Sequence, residues 1–233
     1  MIRTARLALL CAALILCLQS HRVGAQTLDA SRRPQIFRLE LDASDPKQPS
    51  WIILLRSDGT GLYWPTLTAK YGEERLRISD ATWKRVHAGA AAVEADRCET
   101  KVKNIAKTGV KDVEYHGGTT PDTYSSCSFN YSDDAGLNDA VAALEGIVAT
   151  MQAGDRLTHK HRFDHLGLDA ELDSLLAAAK DGSAIELQNI APILQSIADD
   201  DEMMSPSRRK AKSLLELAGI HVAADDQAGT SAR

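Results

Sequence analysis

Residues 98–132, CETKVKNIAKTGVKDVEYHGGTTPDTYSSCSFNYS, mark where the chain passes from strand-patterned to helix-patterned sequence. Before this stretch, short apolar runs alternate with polar residues between Gly, Pro and Asp; after it, apolar residues recur at helical spacing. Within it, Val113 and Tyr115 read as one strand face and Cys127, Phe129 and Tyr131 as another, joined by the loop GGTTPDT. Residues 101–111 fit a fraying helix, an irregular loop or a strand alike.

Towards the N-terminus, Phe37, Leu39 and Leu41 alternate with Arg38, Glu40 and Asp42, the period-two pattern of a strand with one wet face. Residues 51–55 are continuously apolar, which suits a central strand. Asp58-Gly59 then supplies a hairpin turn, and Leu62, Tyr63 and Trp64 return as its partner strand until Pro65 stops it. The two glycines of DGTG also invite a phosphate-loop reading, but neither a third fingerprint glycine nor Gly-Lys-Ser/Thr follows. Trp51, Tyr63 and Trp64 read as sheet core, with an aromatic contact surface as the alternative. Leu76 and Ile78 suggest another short strand. Ser79 or Asp80 then caps a helix with the stripe Trp83, Val86, Ala90 and Val93.

Towards the C-terminus, Leu137, Val141, Leu144, Val148 and Met151 form a helical stripe that Gly154 is placed to end. A second helix, bent near Gly167, covers about 156–180, with Leu157, Leu168, Leu172 and Leu175 inward. Ser183-Ala184-Ile185-Glu186 matches a capping box opening a third helix, which Pro192 breaks or restarts after Asn189. Ser205-Pro206 caps a fourth, with Ala211, Leu214, Leu215 and Ala218 inward and Gly219 at its end. The fold class expected is α+β: an antiparallel β-sheet of four to six strands with one packed helix, followed by a C-terminal bundle of about four helices.

The opening residues place Arg3 and Arg6 before an apolar run at 7–18, then Val23-Gly24-Ala25, the pattern of an export signal cleaved between Ala25 and Gln26. A membrane anchor is the alternative, but the run is short of the roughly 20 residues a spanning helix needs. Leu10 and Leu16 precede the two cysteines of this segment, where a lipid-anchor box wants a small residue. The expected organisation is therefore a signal peptide at 1–25, a flexible N-terminus at 26–34, a β-rich part at 35–132, a helical part at 133–219 and a disordered tail at 220–233. Removing 1–25 takes the net charge from −5 to −8. An acidic chain without a basic stripe argues against nucleic acid, and no later run is long enough to span a membrane.

Cys98 and Cys127 remain after cleavage, and in an exported chain such a pair defaults to a disulfide. A reactive thiolate would want a C-x-x-C motif or a neighbouring base, and neither is present. The strings CSFNYSDD and HRFDHLGLDAELDSL resemble runs in uncharacterised exported bacterial proteins, a loose group with no named family. The resemblance covers the half from Cys98 on. It implies a bacterial envelope and carries no catalytic residue across.

Candidate chemistry is sparse. In THKHRFDH, a continuous helix would set His161 and His165 one turn apart with Asp164 beside them, an arrangement able to hold zinc. The HExxH signature is absent, because Arg162 stands where its Glu would be, and structural or surface roles compete. The acidic run 199–202 lacks the alternation and the glycine of an EF-hand loop. There is no G-x-S-x-G elbow. No catalytic, cofactor-binding or metal residue is assigned. The leading expectation is a periplasmic or secreted non-catalytic protein that binds an envelope protein, a peptide or a saccharide. The alternatives are a metal-dependent hydrolase using His161, Asp164 and His165, and a scaffold that oligomerises through its helical half.

Overall fold

Branched and aromatic residues alternating with polar ones favour strands. In the computed structural model, which describes residues 34–43, 50–65, 72–102, 109–117 and 124–220, six such segments pair into one sheet. They are β1 (Ile36–Ala43), β2 (Trp51–Arg56), β3 (Thr60–Trp64), β4 (Glu74–Arg77), β5 (Gly109–His116) and β6 (Ser125–Phe129). Every pairing is antiparallel, and the spatial order is β4-β3-β2-β1-β5-β6. Phe37, Leu39, Ile53, Leu55 and Tyr63 are fully buried on the inner face. Ile52, Leu54 and Leu62, one residue out of phase, are half-buried on the outer face. The apolar run at 51–55 thus serves both faces of a central strand.

The helices are α1 (Asp80–Ala88), α2 (Ala90–Glu94), α3 (Ala135–Phe163), α4 (His165–Asp181), α5 (Ala191–Asp199) and α6 (Ser205–Leu217), with a 3-10 turn at Leu187–Ile190. The architecture is therefore α+β with a helical C-terminal region. Ser79 caps α1 by accepting from the Thr82 amide at 3.2 Å. Asp134 does the same for Leu137 of α3 at 2.9 Å. The α3 stripe of Leu137, Val141, Leu144, Val148 and Met151 is buried, as are Leu157, Leu168, Leu172 and Leu175. α3 runs beneath the sheet: Lys111 of β5 meets its Glu145 at 3.8 Å, and further along it Asp155 acts on Tyr63 and Glu74 of β3 and β4.

Several boundaries differ from those the sequence suggested. The helix starting at Asp80 divides at Gly89, where a Cβ would come within 2.8 Å of Ala140 Cβ on α3, so two helices replace the single one expected on the sheet. Gly154 does not end a helix. α3 continues through it to Phe163, and the glycine is instead a close approach, since a Cβ there would lie 2.5 Å from Ile190 Cγ2. The break falls at Asp164 rather than near Gly167. Asp164 leaves helical geometry (φ −148°, ψ 73°) and caps α4 by accepting from the Gly167 amide at 2.9 Å. The capping-box pattern at 183–186 opens no helix, because Glu186 is left-handed (φ 59°) and its side chain is used elsewhere. The restart at Pro192 holds, giving α5. Met204, not Ser205, is the N-cap residue of α6, with Pro206 in its first turn. Tyr131 lies beyond β6 and is exposed.

The described residues belong to one compact unit, and their buried apolar side chains join one core cluster. Trp51 and Tyr63 are in that core. No helix among the described residues is long and apolar enough to cross a membrane. The expected leader at 1–25 with its Ala25–Gln26 junction, the tail from 221, the stretch 103–108 and the loop residues 118–123 lie outside the described residues. Cys98 and Cys127 form a disulfide, with Cα atoms 6.3 Å apart and a sequence separation of 29. It ties the end of α2 to β6.

Two measurements check these assignments. Gly154→Ala should lower stability by about 1–2 kcal/mol in urea melts, because crowding Ile190 outweighs the ~1 kcal/mol that Ala gains in an unobstructed helix. Were Gly154 merely a helix interruption, the sign would be opposite. Closing the loop between the cysteines restricts the unfolded chain by about 3.5 kcal/mol. Cys98→Ser with Cys127→Ser should therefore shift the urea midpoint down markedly, and an unchanged midpoint would remove the structural role of the bond.

Candidate functional site: a basic groove at the sheet edge

His161 stands in the last turn of α3 and His165 opens α4, so the two belong to different helices. His161 Nε2 lies 2.9 Å from Asp200 Oδ2, and His165 Nε2 lies 2.9 Å from the His161 carbonyl. Asp164 is occupied by its capping bond. The three side chains assemble as a helix corner rather than as a set of convergent ligands. Among the described residues no group of three His, Cys, Asp or Glu side chains is placed to hold a metal ion. The acidic run resolves likewise: the Glu202 amide, and after it His161, hold the Asp200 carboxyl below its usual range.

A second constellation lies under the sheet. Burial pushes the Tyr63 phenol up to about 12, with Asp155 and Glu74 adding to the rise and Gln152 opposing it. Burial and the Asp155 charge raise the Glu74 carboxyl, while burial raises Asp155 against the pull of Arg156. This is an acidic cluster on the inner face. Nothing in it pairs a nucleophile with a base.

The outer face of the same edge has the opposite character. Antiparallel pairing puts Thr60 opposite Arg77 and Leu62 opposite Arg75, and the turn after β2 sets Arg56 beside Thr60. The turn is tight because Gly59 takes φ +80° and Asp58 Oδ1 accepts from the Thr60 amide and hydroxyl at 3.0 and 2.6 Å. Those bonds, the hydroxyl's first, hold the Asp58 carboxyl below its ordinary value. Arg56, Arg75 and Arg77 consequently share the lining of a groove of about 650 Å³ with Thr60, Leu62, Gln188, Asn189 and Pro192. Glu73 is the single carboxylate in that lining. No described carboxylate hydrogen-bonds any of the three guanidinium groups. A smaller cavity of about 200 Å³ near β6 has one cation, Lys111, and it is paired with Glu145.

The far wall of the groove is positioned by α3. Gly146, Thr150 and Gly154 recur every four residues on one face of that helix, leaving a shallow channel for residues 185–190. The Ile185 amide donates to the Gly146 carbonyl at 3.3 Å, Thr150 Oγ1 donates to the Ile185 carbonyl at 2.7 Å, and Ile190 sits on Gly154. Seated so, Asn189 accepts from the Arg77 amide at 2.7 Å and donates to the Arg77 carbonyl at 2.9 Å. Glu186 Oε1 accepts from the Ser79 amide and hydroxyl at 2.9 and 2.8 Å. Burial works against the charge on Glu186, but bonds from Thr82, Gln188 and Ser79 outweigh it and hold the carboxyl below its usual range.

The sequence reading missed this site. Arg56 is distant in the chain from Arg75 and Arg77, and only the alternation of the latter two around Leu76 signalled that both face one way. The stripe of small residues on α3 was also legible as spacing. No protein-family model, curated protein or solved structure matches the chain.

Glu186 gives a pH test of the clamp. Its folded value is depressed, so its contribution is present above the ordinary carboxylate range and is lost as pH falls through the folded value. Glu186→Gln should cost about 1 kcal/mol at neutral pH. The gap between wild type and variant in urea midpoint should close on acidification below about pH 4. A gap that stays constant down to acid would show that the carboxylate charge contributes nothing.

Proposed function

We propose that the protein is an exported, non-catalytic binding protein of the bacterial envelope, and that its ligand is an anion held in the groove between Arg56, Arg75 and Arg77. The observation that carries this reading is that three arginines line one concave site in an acidic chain, with no described carboxylate hydrogen-bonded to their guanidinium groups. Guanidinium forks match carboxylates and phosphates bidentately, so a site of this kind selects oxyanions. The lining residues include no nucleophile set against a base, which favours retention over turnover. The export pattern at 1–25 and the Cys98–Cys127 bond both suit an oxidising compartment outside the cytosol. The metal-hydrolase alternative loses its geometric premise once His161, Asp164 and His165 are separately engaged.

The test uses the oxidised protein with fluorescein-labelled polyglutamate and polygalacturonate. At least one should bind, with affinity falling as salt rises. Arg75→Ala with Arg77→Ala should weaken binding at least tenfold while leaving the circular dichroism spectrum unchanged. Absence of binding to either polyanion, or binding untouched by the double substitution, would sink the proposal.

A further inference from the structure

We infer that the groove's ligand is an extended acidic peptide segment that pairs with the edge of β4 from Arg75 towards Glu73, an inference that rests on the anion-binding reading above. β4 is the terminal strand of the sheet. In an antiparallel pair the backbone groups of successive residues point alternately towards and away from the partner. The Ile78 amide donates to the Gly59 carbonyl at 2.9 Å, which sets Ile78, Leu76 and Glu74 in the phase bonded to β3. Arg77 and Arg75 therefore direct their N–H and C=O outward.

At Arg77 that outward edge is already filled. The Asn189 amide accepts from its N–H and donates to its C=O, with Gln188 Nε2 adding a bond to the same carbonyl at 3.2 Å. A side-chain amide thus stands where the peptide unit of a neighbouring strand would stand. At Arg75, one step along the same edge, no described residue does so, and the groove opens there. Among the described residues, the edge consequently presents one filled position beside one without a partner.

The side chains above this edge carry a charge code. Arg77, Arg75 and Glu73 alternate along one face and all three line the groove. Alternate side chains of an extended peptide repeat every ~6.8 Å, the same period as β4 itself. Because Asn189 fills the place beside Arg77, a segment patterned acid–x–acid–x–base would pair its backbone only from Arg75 onward, with its second carboxylate opposite Arg75, its cation opposite Glu73, and its first carboxylate leaving the edge over Asn189 towards Arg77. Arg56, across Thr60 from Arg77, reaches the first carboxylate. Charges on an edge strand ordinarily repel other strands. Here the guard is of one sign at two positions, so it turns away neutral and basic strands and admits an acidic one. Backbone pairing would supply affinity and the arginines register, as in strand-addition recognition generally.

The test measures fluorescence anisotropy of a labelled ten-residue peptide with Glu at two alternate positions, Lys at the next alternate position, and Thr and Val elsewhere. Three controls accompany it: a peptide of the same composition with the two Glu adjacent, the original peptide N-methylated at the amides facing β4, and polygalacturonate. The alternating peptide should bind, and both peptide controls should be at least tenfold weaker. Arg75→Glu should abolish binding of that peptide and should bind a version carrying Lys in place of the second Glu. Equal binding of the adjacent or N-methylated peptide overturns strand addition and leaves the anion groove standing. Binding of polygalacturonate alone gives the site to a saccharide and overturns the peptide. Failure of all four overturns both the inference and the function on which it rests.

Discussion

The close seating of residues 185–190 on α3 is the contact on which the rest of the candidate site depends. A helix surface normally keeps a neighbouring backbone at arm's length, because side chains stand between them. Here Gly146 and Gly154 remove those side chains and Thr150 uses its hydroxyl to bond the incoming carbonyl of Ile185. The result is a buried polar contact that is satisfied rather than orphaned, which is the condition for irregular backbone to pack against a helix. From that seat Glu186 reaches Ser79 at the start of α1, and Asn189 reaches Arg77 at the end of β4. A single short segment therefore couples the helical part to both the sheet edge and the first helix. The left-handed conformation of Glu186 (φ 59°) fits this account, since a non-glycine residue keeps such a backbone only where surrounding contacts hold it there.

The sheet edge built by this clamp separates charge by face. Strand alternation sends Tyr63 and Glu74 inward to meet Asp155, where burial raises all three, and sends Arg75 and Arg77 outward. A one-residue slip of β4 would exchange the two sets and bury arginine against the core, which is why the register is strongly specified. Gly61 contributes to the same result. A Cβ there would approach Leu76 Cδ1 to 2.5 Å and the Leu54 carbonyl to 2.8 Å, so the absence of a side chain lets β4 carry its large Leu76 inward while its arginines stay out.

Much of the fold was legible because its signals are local. Alternation of Phe37 and Leu39 with Arg38, the turn at Asp58-Gly59, the Ser79 cap and the pairing of Cys98 with Cys127 each depend on neighbours in sequence or on a cysteine count. What failed were residues with two local meanings. Gly154 looks the same whether it ends a helix or admits Ile190, and only the tertiary partner distinguishes the two. Ser183 and Glu186 match a cap motif, yet the carboxylate caps Ser79 across a sequence separation of 107. Asp164 was weighed as a metal ligand when its short acceptor was needed to start α4, and that use divides the two histidines between helices. The groove was not legible because no one of its arginines is unusual. Its meaning lies in which face of three strands they share.

The two ends of the sheet are treated differently. At the β6 end, the disulfide holds the chain after α2 against the strand, the Thr100 amide donates to the Tyr131 carbonyl at 2.8 Å, and Glu99 accepts from the Asn130 amide at 2.8 Å. These ties join the chain after α2 to β6 and to the residues that follow it. At the β4 end the closure among the described residues is made by the side-chain amides of Asn189 and Gln188, and it covers one residue of the strand, Arg77. An exposed edge is an aggregation hazard, and a fold selected only for stability would extend the cover by one more residue or shorten the strand. Arg75 does neither: it prolongs β4 past the clamp and sets a charge at the opening. The two ends therefore differ in kind: one is tied through a covalent bond, while the other is held by side-chain amides at Arg77 and, among the described residues, has no such cover at Arg75.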